Sequence, residues 1–224
     1  MERIARLATR PRRRVELAYS LTRTAPLLLE PKAQRIVEAA MELAEEGGFS
    51  AVRLRDVAAR ADVALGTLYA RFQGKEEILL AGLEQATEAF ETMLNQERVD
   101  GVDPQERLGV FFGIASQALF SRPHFAQAVV RATAAGEVGV ASRIISYQER
   151  MSRMIVSAMQ GCSPSEVEVG SNPGAFAVAA MLQSLWFGAL VGWVSGALTE
   201  EQVLLQMRQA IRVVWAGRGS TEPA

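Results

Sequence analysis

The 224-residue sequence predicts an all-α protein of about nine helices: a small three-helix head followed by a larger helical body. Three observations carry this. Hardly any segment alternates apolar and polar residues with a period of two, whereas the spacing of a helical face recurs from residue 31 onward. Proline and glycine fall between these periodic segments rather than inside strand-like runs. The charge is also divided. Residues 1–75 hold 14 Lys/Arg against 9 Asp/Glu, a balance of +5, and the remaining 149 hold 10 against 16, a balance of −6. A basic front and an acidic rear suggest a polyanion-binding part joined to one with another task.

Residues 1–30 are rich in arginine (Arg3, Arg6, Arg10, Arg12, Arg13, Arg14, Arg23) and are expected to form a basic, flexible arm. The arm is either a solvated tail or an element that lies along phosphates or in a minor groove. Helix 1 is expected to start at Pro31, a good first-turn residue. Ile36, Val37, Ala40, Met41 and Ala44 form its inner face, and Gly47-Gly48 stops it. Two short helices follow near 54–61 and 65–72, then a long one from Lys75 to about Val99. Five more are expected near 104–121, 124–135, 139–160, 174–197 and 200–216, the last opened by the capping box Thr199-x-x-Gln202. The resulting division is a 1–30 arm, a 31–76 three-helix head and a 77–224 body.

The chemistry concentrates in 54–72, LRDVAARADVALGTLYARF. Leu54, Val57, Ala58 and Ala61 make the inner face of one helix, and Val63, Leu68 and Phe72 that of the next. Only a tight turn separates them, so they must cross steeply at a small residue, Ala58. Asp62 sits in the turn, where a left-handed backbone is better tolerated by Asp than by most residues. This is helix-turn-helix geometry, whose second helix enters the DNA major groove. Gly66 permits close approach, and Thr67 and Tyr69 can donate to phosphate oxygens. Leu65 and the Thr67 methyl can touch thymine methyls. Arg53, Arg55 and Arg71 suit the DNA backbone. Lys75 heads a helix whose free N–H groups favour a phosphate. In the alternative, Tyr69 packs internally and Gly66 merely lets two helices cross closely.

With these residues in place, the stretch 34–80, which includes GFSAVRLRDVAARADVALGTLYARFQGKEEIL, resembles the DNA-binding domain of TetR-family transcriptional regulators. The resemblance implies a three-helix head, a connecting fourth helix, and a divergent ligand-binding and dimerising body. Three positions depart from the pattern. Arg53 and Ala64 replace the usual N-cap hydroxyls, at about 1 kcal/mol each, and Arg71 replaces a frequent histidine. The run V-x-x-R-x-V-A-x-R-A-D-V-A-x-G-T-L-Y is most similar to regulators of steroid and lipid catabolism.

In the body, Phe111, Phe112, Phe120, Phe125, Met151, Met154, Met181 and Trp186 supply adaptable apolar groups suited to a pocket for a bulky hydrophobe, or simply to a core. Residues 175–198 carry no charge and are long enough to span a bilayer. Gly188, Gly192 and Gly196 recur there every four residues, a spacing used where helices pack closely. Gln183 and Ser184 lie mid-segment and no Lys/Arg cluster flanks it. The resemblance implies that the last two long helices pair across a two-fold axis, with Gly188, Gly192, Gly196, Met207 and Ile211 at the dimer interface.

The expected function is a cytoplasmic, homodimeric, ligand-responsive repressor on a near-palindromic double-stranded operator, released by a small apolar effector. The alternatives are a membrane-anchored helical regulator using 175–198 as a span, or a helical enzyme or carrier with a vestigial helix-turn-helix. No enzyme signature such as G-x-S-x-G or H-E-x-x-H occurs. The single histidine, His124, reads as a surface or cap residue, so neither a metal nor a cofactor is expected. The single cysteine, Cys162, excludes an internal disulfide and suits a reducing compartment. The arginine-rich start has no apolar stretch resembling a secretory signal.

Overall fold

The structure, a computed structural model, describes residues 30–135 and 140–219; the arm expected over 1–30 therefore lies outside the described residues but for Glu30. These residues form nine α-helices and one 3₁₀ turn, Pro164–Glu166. The helices are α1 Pro31–Ala51, α2 Leu54–Arg60, α3 Leu65–Tyr69, α4 Lys75–Gln96, α5 Pro104–Phe120, α6 Pro123–Ala134, α7 Ala141–Gln160, α8 Pro173–Val194 and α9 Glu200–Gly219. The all-α architecture expected from the sequence is the one observed. The described residues divide into two compact units, one of 30–89, 119–135 and 140–147, the other of 90–118 and 148–219.

In the first unit, α1 opens on Pro31 and buries Ile36, Val37, Ala40, Leu43 and Ala44, the face set by helical spacing. The sequence predicts that Gly47-Gly48 ends this helix. It instead kinks there, with Gly47 at φ −153° and Gly48 at φ 65°, ψ −160°, and helical hydrogen bonding resumes to Ala51. Only glycine adopts the Gly48 conformation without strain. The kink is braced by α6: Arg122 pairs with Glu45, and His124 Nδ1 lies 2.9 Å from the Glu45 carbonyl oxygen. Phe125, Ala128, Val129 and Ala132, at i, i+3, i+4 and i+7 of α6, complete the core beneath. A methyl group at Gly48 would stand 3.2 Å from Gln127 Oε1 on the same helix.

The second unit is built around an aromatic chain. Phe90 and Phe111 have centroids 5.4 Å apart, Phe111 and Phe112 meet edge-on at 5.2 Å, and Phe112 lies 5.8 Å from Trp186. The indole N–H of Trp186 donates to Ser116 Oγ at 2.9 Å, so the buried polar atom is satisfied. Arg107 of α5 donates to the Ala158 and Met159 carbonyl oxygens, both at 2.7 Å, which satisfies carbonyls at the C-terminal end of α7.

α8 is long and apolar enough to cross a membrane by length and composition, yet 44% of its most apolar window is buried within the protein. Its end explains two of the three expected interface glycines differently. Gly196, at φ 78°, donates to the Trp193 carbonyl and Ala197 donates to that of Gly192, a Schellman termination. A methyl at Gly192 would stand 2.7 Å from the Leu198 side chain. Gly192 and Gly196 thus form the turn into α9. The predicted capping box follows: Thr199 N–H donates to Gln202 Oε1 at 2.8 Å and Gln202 N–H to Thr199 Oγ1 at 3.2 Å.

Gly48→Ala is expected to destabilise the protein by about 1–3 kcal/mol, because an alanine must hold a glycine-only backbone. Urea unfolding of the two forms checks this, and an unchanged midpoint would mean that the kink does not need glycine.

Candidate nucleic-acid interface

The site depends on the turn between α2 and α3. Asp62 takes φ 51°, the left-handed conformation expected of it. Around it, Asp62 N–H donates to the Ala59 carbonyl at 3.2 Å and Val63 N–H to that of Ala58 at 3.0 Å. Ala58 is buried, as the steep crossing requires, and Leu68 and Phe72 are buried below α3. Neither Arg53 nor Ala64 makes a side-chain cap bond at the start of α2 or α3. Both helices therefore begin with uncompensated N–H groups, a partial positive charge at each.

The outward side of α3 separates the two explanations of Gly66. A methyl at Gly66 would meet no atom of the described residues within 4 Å, so close crossing by another described helix does not account for the glycine. Tyr69 is 55% exposed, so its ring is not a core element either. Leu65 and Thr67 are half-buried beside them.

The cations fall into two groups. Arg53 and Arg55 are exposed and have no carboxylate within 4 Å among the described residues. Arg60 is held by Glu46 at 2.6 Å, and that hydrogen bond keeps the Glu46 carboxyl below its ordinary range. Arg71, expected at the DNA backbone, is engaged within the chain. Its guanidinium pairs with Glu30 at 2.5 Å and donates to the Thr67 carbonyl at 3.2 Å. Lys75 is also held, donating to the Phe49 carbonyl at 3.1 Å with its amine 3.7 Å from the Phe49 ring centroid. An ammonium has three donors, so this anchor aims Lys75 without exhausting it. The sequence signals for these restraints were weak, since Glu30 lies 41 residues from Arg71 and Phe49 lies 26 from Lys75.

The residues expected to line an effector pocket do not share one place. Phe111, Phe112, Met151, Met154 and Trp186 are core in the second unit, Phe125 is core in the first, and Phe120 is buried. Met181 instead is 56% exposed on α8. A cavity of about 820 Å³ in the second unit lies between α5 and α9, and none of the eight lines it. Of the expected interface residues, Gly188 is exposed, but Met207 and Ile211 are each 2% exposed and pack inside their own unit. Both sit on the inward stripe of α9 with Val203, a spacing of four residues that faces the core. Among the described residues no group of three or more His, Cys, Asp or Glu is placed to hold a metal ion. Burial, followed by the nearby Glu166 carboxylate, pushes the Cys162 thiol up, away from the thiolate that reactive cysteines need.

A family model described as bacterial regulatory proteins, tetR family, matches residues 36–81, and one described as a tetracyclin repressor-like C-terminal domain matches 101–214. The HTH-type transcriptional repressor KstR of Mycobacterium tuberculosis (strain ATCC 25618 / H37Rv) is 27% identical over 183 residues, 82% of this chain and 80% of that protein. Among solved structures, a TetR transcriptional regulator from Rhodococcus sp. RHA1 superposes with a TM-score of 0.71 at 22% identity, covering 82% of this chain and 94% of that one. The transcriptional regulator FadR from Bacillus subtilis, solved in complex with stearoyl-CoA, gives 0.59 at 16% identity over 80% of this chain and 96% of that one. The C-terminal match alone spans half of the sequence and the N-terminal match falls on the helix-turn-helix just described. The chain belongs to the TetR family of bacterial regulatory proteins and is a DNA-binding transcriptional regulator.

Proposed function

We propose that the protein is a cytoplasmic repressor that binds a near-palindromic operator as a homodimer and releases it when a lipid-like effector occupies the body. The observation that carries the DNA part is Gly66, a glycine inside a helix with open space beside it and the exposed Tyr69 three residues on. Glycine costs a helix about 1 kcal/mol against alanine, and no packing among the described residues requires it. A groove edge brought against the helix would. Leu65 and Thr67 then meet base edges, while Tyr69, Lys75, Arg53 and Arg55 meet phosphates. Arg71 joins them by exchanging Glu30 for a phosphate.

The dimer reading rests on an apolar stripe of α8. Met181, Leu185, Gly188 and Val191 follow helical spacing, and the three larger side chains are 56%, 51% and 40% exposed. Leu205 and Val213 of α9, 43% and 72% exposed, add to the apolar surface. A two-fold partner covers such a surface with its own copy, and gives two recognition helices for two half-sites. The stearoyl-CoA bound to FadR supports an effector with a long apolar part. Release requires the effector to prefer the conformation that does not bind DNA, a population shift rather than a blockade.

Gly66→Ala is expected to leave thermal stability equal or raised, because alanine is the better helix former and nothing obstructs it. Its affinity for DNA should nevertheless fall. Differential scanning fluorimetry with electrophoretic mobility shifts reads both, and undiminished DNA binding would remove the role given to Gly66.

Glu30→Gln frees Arg71 for phosphate, so binding to any duplex should strengthen. Arg71→Gln should instead flatten the plot of log affinity against log salt by about 0.9, one phosphate fewer neutralised. An unchanged slope would mean that Arg71 makes no phosphate contact.

Leu185→Asp places a charge at the centre of the α8 stripe. Sedimentation velocity should find the wild type dimeric and the variant monomeric; a variant dimer as tight as wild type would place the interface elsewhere.

A further inference from the structure

The cavity of about 820 Å³ between α5 and α9 is within the size range of small-molecule sites. Its floor is apolar and deep: Ile114 and Ile211 line it and are each 2% exposed, with Val110 and Leu204 beside them. Gly109 and Gly113, one turn apart on α5, form the wall opposite α9. A methyl group at either would meet no atom of the described residues within 4 Å. Two glycines inside one helix cost roughly 2 kcal/mol of helix propensity, and contacts among the described residues give no reason for them. Larger side chains there would fill the cavity.

One rim is cationic. Arg208 and Arg212 stand at i and i+4 of α9, and neither has a hydrogen-bond or carboxylate partner among the described residues. Like charges at that spacing destabilise a helix by about 0.2–0.5 kcal/mol, a repulsion that a bound anion relieves. The lining carboxylate, Glu106, is already engaged: it accepts from the Val102 backbone N–H at 3.0 Å at the start of α5. It therefore does not offset the arginines by pairing with them.

We infer that this groove binds a single-chain amphiphile, with its hydrocarbon along the Gly109–Gly113 wall and its anionic head between Arg208 and Arg212. The inference builds on the effector reading above by giving the ligand a place and a polarity. A neutral sterol-like body satisfies the floor and leaves the arginines unmatched, whereas a carboxylate or phosphate accepts paired hydrogen bonds from a guanidinium.

Titration calorimetry of the full-length protein with dodecanoate, dodecyl phosphate and dodecanol tests it. The anionic heads should bind about tenfold more tightly than the alcohol, a difference of 1.4 kcal/mol, and the better of the two identifies the head. The double variant Arg208→Gln/Arg212→Gln should lose that preference while retaining dodecanol binding. The variant Gly109→Ala/Gly113→Leu should lose all three ligands, yet unfold at a temperature no lower than wild type, because it adds helix formers into open space. Equal affinity for the three ligands in the wild type, or undiminished binding by the glycine variant, would overturn the inference. The effector reading fails separately. Calorimetric binding that needs these residues but leaves retention on duplex DNA unchanged keeps the groove and ends the release mechanism. An amphiphile that releases DNA equally from wild type and glycine variant keeps the release mechanism and ends the groove.

Discussion

The left-handed backbone at Asp62 is the constraint on which the DNA-binding head depends. With φ at 51°, the chain reverses between α2 and α3 in few enough residues that the Val63 N–H still reaches the Ala58 carbonyl. That closure forces the helices to cross over a small side chain, and Ala58 is small. It also turns Leu68 and Phe72 inward, which leaves Gly66 and Tyr69 outward on the same short helix. A helix of five residues is far too short to be stable alone. It is held by what lies beneath it, so its outer face is free to be chosen for binding rather than for folding.

Helical glycines with empty space beside them recur wherever the protein is proposed to meet something else. Gly66 lies on the recognition helix, Gly109 and Gly113 on the α5–α9 groove, and Gly188 on the exposed stripe of α8. Three other glycines are accounted for internally. Gly48 holds a backbone unavailable to other residues, Gly196 ends α8, and Gly192 makes room for Leu198. The distinction is physical: a glycine required by the fold has either a positive φ or a neighbour within contact distance. One with neither is costly to its helix unless an external surface uses the space.

Electrostatics in the head show a comparable division. Arg60 and Arg71 are occupied by Glu46 and Glu30, while Arg53 and Arg55, at the open start of α2, have no carboxylate partner among the described residues. Exposed pairs such as these contribute little to stability. Their larger effect is on how much positive charge the head presents, since a paired arginine can meet a phosphate only by giving up its carboxylate. Lys75 is different, because the Phe49 carbonyl and ring hold it without neutralising it. Phe49 follows the glycine kink directly, so the backbone of Gly48 and the bracing of α6 decide where this cation points.

The sequence by itself determined the all-α class, the helix-turn-helix and its family, because these rest on short-range patterns: helical periodicity, the Ala58–Asp62–Gly66 spacing and the Thr199–Gln202 capping box. It also gave the identity of the apolar side chains in the body, but not their use. Phe111, Phe112 and Trp186 read equally as pocket or core, and only packing three helices together made them a buried aromatic chain. The kink that does not end α1, the pairing of Arg71 with Glu30 and the inward turn of Met207 and Ile211 were likewise left to the tertiary structure. Each depends on partners many residues away, or on the helix face that the neighbouring helix happens to cover. Periodicity defines that a face exists; which other element lies against it is decided when the chain closes on itself. The α5–α9 groove is the clearest case, since Gly109 and Gly113 stand four residues apart in plain view, and only the position of Arg208 and Arg212 across from them gives that spacing a meaning.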